Sequence, residues 1–481
     1  MYELLAIMPI AILLVVSLIK GVKSGIYLSL VVTCILFFVW DSTVETFAAS
    51  LIAAFVDTVS ILMIVFGAIF LYHTMDQKGY IADIRSSLGS IHTDRTFRFY
   101  FLAIFLTAFF ESVAGFGTPG AIVPLLLISM GYSAVTSISA VLLIDGLFAI
   151  SGAVGTPVSI GFLSALDLGL AEVKSIYFLA SLAIALSAVI VFGFVWYFVK
   201  KESYSNENYL IRLYGSIMIP FVGLSYLLQE LTGLVASAVM ALIAYLFFFK
   251  GKKIKLTPWL PYGLLVIILL LPKLSPSLRA FLSLELSFDE ILQTKVSASL
   301  KPLRSPFLPF LIVSFFASIL VRDLSFSVRP VLTKVLSVFL VLFPSLAITR
   351  LMLSSGGEIP SMVEIIATLF VQAGNIYPLL SPFIGALGTF LTGSTTVSNV
   401  IFGPVQYSSA IQLEIAPAYI LALQLAGASL GNAICLFNII AAAAVAGVDN
   451  YASILKKNLL PVILASLLAG ILGYGIIYFH I

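Results

Sequence analysis

Runs of about 20 apolar residues, the length a helix needs to cross the hydrocarbon core of a bilayer, recur from one end of this chain to the other. Phe47 to Tyr72, Ser175 to Val199 and Asn458 to Phe479 are three of them. At that depth no water satisfies the backbone, so such runs must fold as helices. Of the 481 residues, 61% are hydrophobic and 10% are charged, against about 45–50% and about 25% in soluble domains. The chain therefore reads as an all-α polytopic membrane protein with roughly a dozen transmembrane helices. The first apolar run starts at Leu4 with no basic region before it and another span after it. It reads as a first transmembrane helix, not as a cleaved signal peptide.

The net charge of +3 is too small to point to nucleic acid. The basic residues instead collect between spans: Lys20 and Lys23, Arg85 to Arg98, Lys200 and Lys201, KGKKIK at 250–255, and Lys456 with Lys457. By the positive-inside rule these loops face the cytoplasm. The acidic links DSTVE (41–45) and DLGLAE (167–172) then fall outside. Residues 273–304 carry balanced charge and fit an outer connecting loop, an interfacial amphipathic helix or part of a span. Cys34 and Cys435 lie in apolar runs and read as packing residues. His73, His92 and His480 form no pair, so neither a metal nor a cofactor is expected, and no nucleophile, phosphate-loop or dinucleotide motif points to an enzyme.

Two groups of glycine- and proline-rich interruptions stand out. The first holds GFGTPG (115–120) and SGAVGTPV (151–158); the second holds LTGSTTVSN (391–399) and GASLGN (427–432). Irregular backbone survives at membrane depth only against protein or a water-filled cavity. Paired interruptions in corresponding positions point to a transporter's midplane site. A shift of 280 residues places Phe110 on Phe390 and Pro124 on Pro404. The pattern predicts two inverted repeats with broken or re-entrant segments: residues 1–200 with GFGTP, residues 305–481 with TGSTTVSN, and middle spans with a polar connector at 201–304. Lys200 and Lys201 follow one final long span while Lys456 and Lys457 precede the other, so the two spans are expected to run in opposite directions.

A carboxylate at the bilayer centre costs about 2.5–3.5 kcal/mol on insertion scales, which makes Glu111 and Asp145 candidates for substrate or proton work. A structural hydrogen bond to the freed backbone is the alternative for each. Asp57 shares this ambiguity, Glu364 fits an interfacial place near Glu358, and Arg350 fits a loop or snorkelling position. The glycines allow the chain to turn inside the membrane. Helix starts at Thr118 and Pro119 or at Ser394 to Thr396 would aim free N–H groups at a cavity, an anion site without a basic side chain. Close helix packing is the alternative use of the glycines.

ESVAGFGTP resembles the EGAAGFGAP signature of the L-lactate permease family. IRSSLGSIHTDRTFR (84–98) resembles the loop before it, and SPFIGALGTFLTGSTTVSN (381–399) resembles SPFLGxLGxFLTGSDTSSN. The resemblance implies a plasma-membrane carrier that takes up lactate and related 2-hydroxy monocarboxylates such as glycolate with a proton. It supports Glu111, Gly115, Gly117 and Pro119 in the first motif, and Thr392, Gly393, Ser394, Ser398 and Asn399 in the second. Three positions depart: Thr395 replaces an aspartate, Asp145 an asparagine, and Gly431, Asn432 and CLFN (435–438) a Gly-Lys and Ser-Pro-Gln segment. A paired acid and base lost together would explain the first and last. The expected site binds the substrate carboxylate at Thr118, Ser394, Thr395 and Thr396, with Asn432 nearby, and the proton at Glu111 and Asp145. A carrier for another anion, or a sodium-coupled one, is the nearer alternative; a channel or membrane enzyme is the remote one. Association into homo-oligomers is left open.

Overall fold

The computed structural model describes residues 2–479 apart from 89–90, 116, 203–206, 250–255, 283, 301, 304, 306, 358 and 449. The basic run at 250–255, Phe116, Lys301, Arg304, Glu358 and His480 therefore lie outside the described residues. Among the described residues, eight helices are long and apolar enough to span a membrane, and a ninth span results if Met362–Val371 and Gly374–Phe390, bent by 104°, count as one. Five shorter apolar helices, among them Thr118–Ser129 and Phe307–Leu320, make up the rest of the apolar runs. The protein is an all-α polytopic membrane protein.

The breaks explain why several helices are short. The helix Arg95–Val113 ends where Gly115 and Gly117 take φ of 57° and 74°, and Thr118–Ser129 turns back beside it. The Arg95 guanidinium donates to the Gly131 carbonyl, and Tyr132 Oη donates to the Arg95 carbonyl at 2.5 Å. The two arms thus begin and end on one side, so GFGTP is the tip of a re-entrant hairpin. Tyr377–Thr392 and Thr395–Gln412 form a second hairpin around Gly393, at φ 77°. Tyr377 Oη donates to Gln406 Oε1 at 2.5 Å near its mouth, and Ser398 Oγ donates to the Gly385 carbonyl at 2.9 Å near its tip.

Each hairpin is followed by a broken helix. Ala134–Phe148 passes through a 3-10 turn into Gly152–Ser159, with Ala153, Val154 and Gly155 all left-handed. Pro417–Gly431 passes through the 3-10 turn Asn432–Ile434 into Leu436–Val445. The second break thus starts at Asn432, the last residue of GASLGN, while Gly427 and Gly431 before it serve close packing. A Cβ on Gly427 would fall 1.9 Å from the Pro382 carbonyl oxygen, and one on Gly431 2.5 Å from that of Ala386.

The long helices Leu170–Lys200 and Tyr451–Phe479 close the two sets. They pack antiparallel: Lys457 Nζ lies 5.1 Å over the Phe198 ring at one end, and Ser187 Oγ donates to the Ala465 carbonyl further along. Both basic pairs therefore sit at the same end. A separate layer is made by Val44–Gln77 packed on Phe307–Leu320 and Arg329–Ser354, with Tyr2–Lys20 and Val22–Val39 beside it. Within this layer Arg350 is no snorkelling residue. Its Nε and Nη2 meet Asp57 Oδ2 at 2.9 and 2.8 Å across two spans, with the side chains 16% and 8% exposed. Glu364, by contrast, is an exposed cap that accepts from the Ser361 amide at 2.7 Å.

The stretch after residue 273 is neither one amphipathic helix nor a plain loop. It forms the short helix Pro276–Phe281 and the antiparallel pair Leu286–Phe288 with Ala298–Leu300. Val296 and Ala298 rest on Ala49 and Ala53.

Candidate functional site

Glu111 lies one turn before the first hairpin tip and Asp145 near the end of the helix that leads to the first break. They are 4% and 1% exposed, and their carboxyls are electrostatic neighbours. Glu111 folds over Gly152, where an added Cβ would fall 2.4 Å from Oε1. Asn432 Nδ2 donates to Asp145 Oδ2 at 2.8 Å, and Asn438 Nδ2 donates to Asn432 Oδ1 at 2.7 Å. Asn438 Oδ1 in turn faces the hairpin tip, 3.6 Å from a Cβ built on Gly117. A polar chain therefore runs from the buried carboxyls to the glycine tip. Glu111 Oε2 and Asp145 Oδ1 have no partner among the described residues. Buried polar atoms are almost always satisfied, so two open carboxyl oxygens on side chains that face each other make this place the candidate site.

The helix Thr118–Ser129 starts at Gly117, which has no side chain to cap it, and Pro119 occupies its first turn. Gly117 and Thr118 are half-buried. At the other tip Ser394 Oγ accepts from the Val397 amide at 3.3 Å, and Gly393 and Ser394 are likewise half-buried. Thr392 Oγ1 donates to the Gly388 carbonyl at 2.8 Å. Thr395 Oγ1 donates to the Ala428 carbonyl at 3.3 Å, and Thr396 Oγ1 donates to Thr156 Oγ1 at 3.2 Å. Asn399 Nδ2 donates to the Pro157 carbonyl at 3.0 Å.

The two tips are thus held crosswise. The second hairpin packs on the break of the first set through Thr156 and Pro157, and the first tip packs on Asn438 and Ala442 beyond the break of the second set. Between them Ser429 Oγ donates to the Gly146 carbonyl at 2.7 Å. Of the residues expected at the site, Glu111, Asp145, Asn432, Gly117 and Gly115 come together, Gly115 against Ala153. Thr395, Thr396, Ser398 and Asn399 form the second cluster. Ser398 and Asn399 are engaged in a buried network there: Gln424 Nε2 reaches Ser398 Oγ at 3.3 Å and Asn399 Oδ1 at 3.2 Å, and Gln406 Nε2 reaches Gln424 Oε1 at 2.9 Å.

Gln406, Gln424 and Tyr377 escape a reading of the sequence that follows acids and glycines, and Glu230 escapes because it lies inside an apolar stretch. A signal for Glu230 existed: the apolar stretch Asn208–Phe247 is 40 residues long, about 60 Å as a helix, twice what a bilayer holds. It must fold back, and Glu230 sits at the fold.

The sequence profile of the L-lactate permease family matches residues 3–259 and 251–479. A Haemophilus influenzae protein named as a candidate L-lactate permease is 27% identical over 90% of this chain and 90% of its own length. The L-lactate permease of Streptococcus iniae is 27% identical over 75% of this chain and 80% of its own. A glycolate permease of Escherichia coli matches at 36% identity, over 18% of this chain and 15% of its own. Among solved structures, MtrF of Neisseria gonorrhoeae aligns with 99% of this chain and 95% of its own at 13% identity, with a TM-score of 0.41. With the family profile spanning nearly the whole length, the chain belongs to the L-lactate permease family and is a multi-pass transport protein of the plasma membrane.

Proposed function

We propose that the protein imports L-lactate and related 2-hydroxy monocarboxylates such as glycolate by proton symport. The observation that carries the proton is the Glu111–Asp145 pair, buried, adjacent, and with an open oxygen on each carboxyl. Two carboxyls in contact away from water cannot both ionise readily, so the pair is a site that takes up and gives back one proton. An ionised pair repels an arriving anion and a protonated pair does not. Protonation from outside therefore favours loading, and release inside favours unloading.

The substrate carboxylate is held at the helix starts of the two tips, by amides and hydroxyls of Gly117, Thr118, Ser394, Thr395 and Thr396. Gly115, Pro119, Thr392 and Gly393 shape those tips, while Ser398, Asn399 and Asn432 hold them in place. The crosswise packing and the antiparallel final helices support a reading of residues 1–200 and 305–481 as inverted repeats joined by 201–304. Alternating access then follows from movement of the hairpins against the Asp57–Arg350 layer. The burial of Glu111, Asp145, Thr395 and Thr396 corresponds to a closed state of that cycle.

The test is uptake of labelled L-lactate into proteoliposomes under an imposed pH gradient, native chain against Glu111→Gln. Gradient-driven accumulation that the variant loses supports the proposal. Accumulation driven only by a sodium gradient, or only of a different acid, refutes it.

A further inference from the structure

The amides beyond Asp145 form a chain with a direction. Asp145 Oδ2 accepts, so Asn432 turns its Nδ2 toward it, at 2.8 Å. Asn432 Oδ1 is then left to accept in turn, and Asn438 Nδ2 donates to it at 2.7 Å and to the Asn432 carbonyl at 3.4 Å. Both bonds engage the same nitrogen of Asn438. A side-chain amide has donors at one end and an acceptor at the other, so Asn438 has only its oxygen to offer beyond this chain. That oxygen accepts no hydrogen bond from the described residues. Carried on Glu111 or on Asp145 Oδ1, the proton of the carboxyl pair leaves Oδ2 an acceptor, and the same orientation holds when the pair is loaded.

What lies beyond Asn438 is the first hairpin tip. Gly117 stands there with φ 74°. Among the described residues, and apart from the chain neighbours of Gly117, Asn438 Oδ1 is the one atom within 4 Å of the place its Cβ would take, at 3.6 Å. Asn438 is 6% exposed, whereas Gly117 and Thr118 are half-buried. A buried acceptor thus floors a space at the tip that no other described side chain fills. One turn further along Leu436–Val445, Ala442 Cβ lies 3.5 Å from a Cβ built on Gly120. The helix therefore meets the tip with one polar group and one methyl.

In a 2-hydroxy acid the hydroxyl sits on the carbon next to the carboxylate, so both reach the tip together. An acceptor whose own donors are spent calls for a donor from the ligand, and a buried polar group left without one is costly. We infer that Asn438 is a specificity-determining residue of the substrate site, its Oδ1 accepting a hydrogen bond from the 2-hydroxyl of a monocarboxylate held at the Gly117 tip. Lactate and glycolate both carry that hydroxyl; propionate, otherwise the same acid as lactate, lacks it. The inference rests on the substrate site proposed above.

The full chain in proteoliposomes tests it, with labelled L-lactate and labelled propionate taken up under the same imposed pH gradient. The native chain takes L-lactate with a KM about tenfold or more below that for propionate, the worth of one hydrogen bond. Asn438→Leu, close in size and without a polar atom, raises the KM for L-lactate about tenfold and leaves that for propionate near the native value. Where Asn438→Leu does not fold, Asn438→Ser gives the same result, because its hydroxyl keeps a donor for Asn432 and its shorter side chain withdraws the acceptor. Packing damage alone slows both acids alike, and an equal loss for both overturns the inference. A native preference that survives the substitution overturns it as well, since the hydroxyl is then read by another acceptor, such as the open Glu111 Oε2 or Asp145 Oδ1. Native uptake of both acids with equal KM overturns it and leaves the symport standing. A native chain that accumulates neither acid removes the proposed function and the inference together.

Discussion

Replacing Gly152 by alanine moves one carboxyl and little else. Gly152 has φ −55° and ψ 142°, a conformation open to any residue, so the backbone is not strained. Fewer unfolded conformations favour folding by about 0.4–1 kcal/mol. The three atoms nearest the new Cβ all belong to the Glu111 side chain, at 2.4 Å for Oε1, 3.3 Å for Cδ and 3.8 Å for Cγ. To regain an ordinary 3.4 Å contact the carboxyl must retreat by about 1 Å, which disturbs its approach to Asp145. Misplacement of that size in a reacting group costs up to about a hundredfold in rate. The expectation for Gly152→Ala is normal expression and thermal stability in detergent, with pH-gradient-driven uptake of L-lactate reduced between about tenfold and a hundredfold. Gly427→Ala is the contrast. Its Cβ would meet the Pro382 carbonyl at 1.9 Å, backbone that cannot swing aside, so folded yield falls instead. Native uptake with native pH dependence in Gly152→Ala would refute the reasoning, because Glu111 would then need no fixed place.

Arg350→Met leaves Asp57 unpaired between two spans and should lower stability by about 3 kcal/mol, the low end for a broken buried pair given the residual exposure of Arg350; the double change with Asp57→Leu should recover much of that in detergent melting. Gln424→Leu strands Asn399 Oδ1, worth about 1–3 kcal/mol as a buried unsatisfied group, and leaves Gln406 Nε2 with the Ser381 carbonyl at 3.3 Å; a melting point equal to the native one would remove the network's structural role. The Lys78 ammonium and the Ser325 hydroxyl hold the exposed Asp323 carboxyl below the usual carboxylate range. A depressed folded pKa adds stability above the unfolded value, about 3.9, and loses it as pH falls through the folded one. Asp323→Asn should therefore leave the profile of melting temperature against pH unchanged in shape between pH 5 and 8, and differ only in stronger acid.

The hairpin tips were legible because their signals are local: Gly115, Gly117 and Gly393 need left-handed backbone, and such glycines inside apolar runs have few other uses. Gly427 and Gly431 carry the same letter but serve a neighbouring helix, and of GASLGN only its last residue, Asn432, lies in the second break. Residue type does not say whether a glycine faces a turn or a partner. Arg350 misled for a similar reason. Its partner Asp57 lies 293 positions away, and only the packing of two spans makes the pair. The departures at Asp145 and Asn432 were visible one by one, and the 2.8 Å bond between them was not. The neutral network of Tyr377, Gln406, Gln424 and Asn399 left no mark in the sequence, because buried amides look like surface amides until their donors and acceptors are matched.

The crosswise seating of the tips has a consequence for the history of the chain. A polypeptide of half this length would carry a hairpin without its seat and a seat without its hairpin, and could complete neither alone. Two such copies side by side could complete both. Fusing the two would turn a contact between molecules into a contact within one. In a single chain the two members of each contact need not match, so that an aspartate on one side can rest against an asparagine on the other, with acids in one half and amides in the other.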